Sequence, residues 1–148
     1  MVLELNQSAV PAVNSLSRED MQWFAEHAVY FRVAADAKGI AAFLIGLRAG
    51  SSYASPNYRW FSAHYADFAY VDRVAVAERA RRQGLASQLY DDFEAMMRPH
   101  VSVVTCEVNL HPPNPTSMRF HESRGFRRVG AQETEGGRKK VALLELRL

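Results

Sequence analysis

The sequence predicts a mixed α/β domain, and three observations carry that prediction. In residues 69–108 an apolar run with Val71, Val74 and Val76 precedes a stretch in which Leu85, Leu89, Phe93 and Met97 recur every four residues; a second apolar run, 101–108, follows. Four-residue recurrence lines one face of a helix. The segment therefore reads strand–helix–strand, which needs a crossover and one parallel pair. Towards either end, two apolar runs separated by turn residues give antiparallel hairpins. Third, 148 residues with 48% hydrophobic and 23% charged side chains suit one globular domain, residues 1–148. A chain this long buries about 68–70% of its unfolded surface, so it folds without disulfides or structural metal.

The elements follow in order. Residues 2–5 suit a short opening strand. Ser17 with Asp20 three residues on marks a helix start, and the helix runs to His27 with Met21, Phe24 and Ala25 on one face. Residues 29–34 and 40–47 are strands around the turn Asp36-Ala37-Lys38-Gly39. Residues 48–57 are loop, and the aromatic stretch 58–68 has no assignable period. A strand over 69–77 leads to the helix 84–97, which Pro99 stops. After the strand 101–108 and a proline-rich loop, Asn114 caps a helix over 115–123 with Pro115 in its first position. Gly125 ends it. Residues 126–129 start a strand, 130–137 are loop, and 141–148 are the last strand. No internal repeat and no low-complexity tract appears.

Charge and cysteine content narrow the function classes. Eighteen Lys+Arg against sixteen Asp+Glu leave +2, too little for a basic nucleic-acid tail. Cys106 is the single cysteine, which excludes an internal disulfide and a cysteine zinc site. No signal-peptide pattern and no apolar span of membrane length is present. The expectation is a cytoplasmic protein with no membrane and no nucleic-acid partner.

The most informative residues lie at the corner after the 69–77 strand: Arg81-Arg82-Gln83-Gly84-Leu85-Ala86. Amides at a helix start lack helical acceptors and favour an anion. Gly84 and Ala86 let a phosphate approach the backbone, and Arg81 and Arg82 add charge. The run has no Gly-Lys-Ser/Thr ending and no Gly-x-Gly-x-x-Gly, so it is neither a Walker loop nor a dinucleotide fingerprint. A solvated, arginine-rich helix start would look the same on spacing alone.

This corner resembles the pyrophosphate motif Arg/Gln-x-x-Gly-x-Gly/Ala of the GNAT superfamily of acetyl-CoA-dependent N-acetyltransferases. A second signature agrees: Asn114, then Ser117, the pair Phe120-His121, and Gly125-Phe126. The resemblance is sharp over residues 69–130. It implies the GNAT fold: a mixed, mostly antiparallel sheet flanked by helices and splayed between its fourth and fifth strands, here 69–77 and 101–108. It implies acetyl-CoA as cofactor and transfer of its acetyl group to a primary amine by direct attack in a ternary complex. The pantetheine arm would pair with the backbone of Val74, Ala75 and Val76. Amides of Arg81, Arg82, Gln83, Gly84, Leu85, Ala86 and Ser87 would hold the pyrophosphate, and Asn114 would flank the thioester end. An N–H near Val74 would polarise the acetyl carbonyl.

One position departs from the family. His121 stands where many members have a tyrosine thought to protonate the leaving thiolate. Imidazole titrates near neutrality and could serve as the acid; packing is the alternative. The amine must also lose a proton. Asp72 is the candidate catalytic carboxylate, unless it pairs with Arg73. Glu107, in the adjacent strand, faces the same cleft or forms an ion pair. By the resemblance, Tyr53, Trp60, Tyr65 and Asp67 join Glu107 as acceptor-side candidates, and a homodimer is a common state. The absence of a Ser/His/Asp order argues against a hydrolase, and the scattered His100, His111 and His121 offer no metal spacing, so no metal is expected. Cys106, between Val104 and Val108, reads as a buried strand residue. The rival class is a non-catalytic acyl-CoA-binding sensor, which the missing tyrosine would allow.

Overall fold

A computed structural model describes residues 1–148. In chain order the elements are α1 (Val2–Ser8), α2 (Arg18–His27), β1 (Tyr30–Asp36), β2 (Gly39–Arg48), α3 (Pro56–His64), β3 (Ala69–Val76), α4 (Leu85–Met97), β4 (Val103–His111), α5 (Pro115–Ser123), β5 (Arg127–Thr134) and β6 (Lys139–Arg147). Two short 3-10 turns cover Glu78–Ala80 and Glu135–Gly137. The six strands form one mixed sheet in the order β1-β2-β3-β4-β6-β5. The β1–β2 and β5–β6 hairpins and the β4–β6 pair are antiparallel; β3 and β4 run parallel, with Ala69 opposite Val104 and Tyr70 opposite Thr105. No helix is long and apolar enough to cross a membrane.

The chain divides into two compact units. The first comprises Met1–Arg48 and Val71–Pro99. Its core strand is β2, buried without interruption from Ala41 to Leu47, as expected of a strand covered on both faces. Helix α4 turns Leu89, Tyr90, Phe93 and Met97 inward. It seats flush on β2 because Gly46 has no side chain: a Cβ there would overlap the Phe93 ring. Helix α2 carries the expected Ser17–Asp20 capping box and buries Phe24, but Ala25 is exposed.

The second unit comprises Ala49–Tyr70 and His100–Leu148. On the α3 side of the sheet it buries Tyr58, Phe61, Phe68, Tyr70 and Leu143, and on the other face of β4 and β6 it buries Val104, Cys106, Val108 and Leu144. Helix α5 has the predicted bounds, with the Asn114 side chain accepting the Ser117 N–H at 3.2 Å. Gly125 follows at φ +98°, the left-handed conformation that suits glycine after a helix.

Three expectations are corrected. Residues 2–5 are helical, not a strand: they open α1, whose buried Leu5 and Asn6 face the unit's interior, so β3 and β4 are the strands counted fourth and fifth from sequence. The unassigned stretch 58–68 is mostly α3, started by Ser55 accepting from the Tyr58 N–H and by Pro56. Residues 130–134 belong to β5 rather than to a loop, because they pair with β6 as far as Thr134 opposite Lys139. A local pattern recurs as well: Trp-Phe-x-x-His-x-x-x-Phe occurs at Trp23–Phe31 and again at Trp60–Phe68.

Candidate active site

In the first unit the corner is open. Arg81 is extended, Arg82 has φ +66° and Gly84 φ +75°, and α4 begins at Leu85. Two left-handed residues so close turn the chain sharply, and only Gly84 adopts that conformation without a Cβ penalty. A Cβ at Gly84 would meet nothing within 4 Å, so space lies above the backbone. Gly84, the N-cap residue, makes no side-chain cap, and no acid sits in the first turn of α4. The first helical bond runs from Gln88 N–H to Gly84 O at 3.0 Å, so the amides of the first turn of α4 precede it at the helix start, where an anion is favoured. Arg81, Arg82 and Gln83 are exposed beside them. This set fits a pyrophosphate. In β3, Ala75 is buried, while Val74 and Val76 are half-buried.

Asp72 takes the alternative foreseen for it. Its Oδ2 accepts from Arg73 Nε at 2.6 Å, with the two side chains only 3% and 5% exposed. Arg73 also donates to Asn6 Oδ1 and to the Asn14 carbonyl, both at 3.0 Å, and lies over the Phe24 ring at 5.4 Å. A carboxylate enclosed by its counter-ion is a structural partner rather than a base open to an amine.

In the second unit Glu107 is half-buried and both its oxygens accept from the Tyr70 hydroxyl, at 2.7 and 2.8 Å. The Tyr70 ring packs on Tyr58 and Phe61 of α3, with centroids 5.4 and 5.8 Å away. Tyr58 in turn meets Tyr53 at 5.8 Å. Tyr65 donates to Glu145 Oε1 at 2.7 Å. Burial, then the Glu145 bond and charge, push the Tyr65 hydroxyl up to about 12. Burial alone would raise the Glu145 carboxyl, but the hydrogen bonds from Tyr65 and Arg147 and the charges of Arg147 and Arg127 outweigh it and hold it below its usual range. Asp67 is exposed and accepts the Phe68 N–H at 2.9 Å.

Asn114 spends its side-chain oxygen on the helix cap. His121 is buried, with Phe120 and Phe126 edge-on at 5.2 Å each. Its Nδ1 lies 2.7 Å from the Ser117 carbonyl, which can only accept, so Nδ1 carries the proton. Burial lowers its pKa, the Arg124 charge adds to this, and the Ser117 bond only partly offsets them. The buried ring thus commits its Nδ1–H to the Ser117 carbonyl and packs between Phe120 and Phe126, the arrangement of the packing alternative.

The structure thus gathers Glu107, Tyr65 and Trp60 around α3 and leaves Asp72 and His121 in structural bonds. Sequence reasoning missed Tyr70 and Glu145, and named Arg73 as the ion-pair alternative for Asp72. Glu145 alone left a trace, as the single acid in the apolar run 141–146.

Comparison with known proteins agrees with this architecture. No curated protein sequence is a significant match. Among solved structures, Ard1 from Thermoplasma volcanium superposes with a TM-score of 0.77 at 19% identity, covering 99% of this chain and 88% of that one. Naa20 of Chaetomium thermophilum, in complex with a bisubstrate analogue, gives 0.74 at 21% identity over 99% and 80%. NAA60 of Arabidopsis thaliana, in complex with acetyl-CoA, gives 0.74 at 16% over 99% and 93%. These likenesses are of fold. The model of the acetyltransferase (GNAT) family matches residues 2–126, most of the sequence and both of its signatures. The chain belongs to the acetyltransferase (GNAT) family.

Proposed function

We propose that residues 1–148 act as one acetyltransferase domain that moves an acetyl group from acetyl-CoA to a primary amine of a small molecule or peptide. The observation that carries the reading is the uncapped, left-handed corner at Gly84. Exposed Arg81 and Arg82 and the first amides of α4 would hold the pyrophosphate there. The backbone of Val74 to Val76 would receive the pantetheine arm, and an N–H near Val74 would polarise the acetyl carbonyl. Asn114, already committed to its helix, would act through the α5 start it fixes. Acetyl-CoA supplies the thioester: the C–N bond forms as the C–S bond breaks, and coenzyme A leaves.

Glu107 is the proton acceptor of this reading. The amine arrives as an ammonium and gives one proton to the carboxylate; after attack the nitrogen loses a second, which meets the departing thiolate. Tyr70 donates to both Glu107 oxygens and fixes where the carboxylate points. Proton transfer by a positioned group contributes ~10²–10⁴-fold.

Calorimetry with acetyl-CoA and free coenzyme A tests the first half. Micromolar binding that disappears in a folded Gly84→Glu variant is the expected result; no binding to the wild type sinks the reading. Steady-state kinetics of Glu107→Gln test the second. Its kcat falls by about 10² or more with acetyl-CoA affinity intact; unchanged kcat removes Glu107 from the mechanism.

A further inference from the structure

The strand register of the second unit lines up two rows on one sheet face. Glu107, Leu143 and Gly130 stand directly opposite one another on β4, β6 and β5. Tyr70, Thr105, Glu145 and Arg127 form the adjacent row. Helix α3 covers both. At its start Asn57 accepts from Gln132 Nε2 at 3.0 Å. Just past its end Tyr65 donates to the buried Glu145. Between them the Trp60 indole lies on β5 so closely that a Cβ at Gly130 would stand 2.7 Å from its Cζ2. The other face of Trp60 carries the His64 ring, 3.7 Å away and nearly parallel. Tyr58 and Phe61 complete the cover by packing on Tyr70, the residue that holds Glu107.

We propose that α3 is a fixed wall on the acceptor side and that Trp60 limits the acceptor to a compact primary amine, excluding a polypeptide N-terminus. The inference rests on Glu107 being the group that takes the amine proton. From that carboxylate outward along its own row, the sheet face is occupied by side chains of a helix fastened at both ends and in the middle. A single short chain ending in an amino group needs none of that surface. An extended peptide with side chains on both edges needs it, and would have to displace the indole from Gly130. Tyr65, Trp60 and Glu107 thereby share one task, whereas Asp67, exposed at the turn after α3, is outside it.

The test compares short alkyl and arylalkyl amines with tetrapeptides bearing free N-termini, in wild type, Trp60→Ala and Trp60→Phe, with acetyl-CoA binding measured in parallel. The wild type acetylates the small amines with a kcat/KM about a hundredfold above that for the peptides. Trp60→Ala raises the ratio of peptide to small-amine kcat/KM about tenfold or more, the range one pocket contact controls. Trp60→Phe gives a smaller shift in the same direction and serves if the alanine variant does not fold. Peptides preferred by the wild type, or both substrate classes lowered alike in a folded variant, overturns the wall while leaving acetyl transfer in place. Absence of acetyl-CoA binding in the wild type overturns both.

Discussion

Helices α2 and α3 are two settings of one local pattern. Each starts at a serine cap, Ser17 or Ser55, and each stacks a histidine on a tryptophan one turn earlier, at 4.5 Å for Trp23–His27 and 3.7 Å for Trp60–His64. In each, the histidine Nδ1 reaches the tryptophan carbonyl, at 2.8 and 2.7 Å. Each buries the next residue, Phe24 or Phe61. What they meet differs. Phe24 lies against the Arg73 guanidinium, whose ion pair with Asp72 is shut away from water; Phe61 lies against Tyr70, whose hydroxyl serves the half-buried Glu107. The same short code builds the same helix, and the strand residue it lands on decides whether the neighbouring carboxylate is enclosed in an ion pair or held half-buried by a tyrosine hydroxyl.

The largest effect that tests this contrast is on stability. Arg73→Met leaves the Asp72 charge enclosed without its partner, and chemical denaturation should register a loss of about 3–5 kcal/mol. Tyr70→Phe removes one hydrogen bond from a carboxylate that keeps access to water and should cost about 1–2 kcal/mol while lowering kcat. Equal losses would mean that the two carboxylates are not differently housed. A pH scan is next in size. His121 is buried and its pKa is lowered from 6.5. The unfolded chain therefore binds a proton that the native chain refuses, so stability falls as pH drops through about 6.5. His121→Phe should flatten the slope of Tm between pH 5 and 7, on the order of the whole His contribution, with kcat near that of the wild type; an unchanged slope would place the titration elsewhere. The smallest effect belongs to the shared pattern itself. His27→Ala and His64→Ala should each lose about 0.5–1 kcal/mol by urea denaturation. A large inequality between them would show that the two helices are not local equivalents.

Contiguous chemistry was legible in the sequence and distant chemistry was not. The corner at 81–86 and the helix 115–123 are set by neighbours in the chain: a glycine at positive φ, an asparagine cap, a proline in the first turn. Helix α3 was hidden because aromatic residues on every side of 58–68 obscure a period, although Ser55-Pro56 marked its start. Tyr70 and Glu107 stand 37 residues apart and meet through a parallel register; Tyr65 and Glu145 stand 80 apart. No local pattern encodes such pairs. The opening helix α1 is not legible because four residues of mixed polarity carry either period, while the contacts of Asn6, whose side chain binds the Asn14 carbonyl and Arg73, are distant in sequence.

The missing side chain at Gly46 has a reach beyond its own contact. Phe93 rests on that bare backbone, and Phe93 is eight residues along α4 from Leu85, about 12 Å at the helical rise. A stiff helix pivoting at one end moves most at the other. One methyl group at position 46 would act as a wedge under the distal arm and swing the amides at Gly84, with no change to any residue of that corner. In the proposed function, grip on the donor's phosphates would thus be calibrated from the sheet interior, at a residue outside the corner itself.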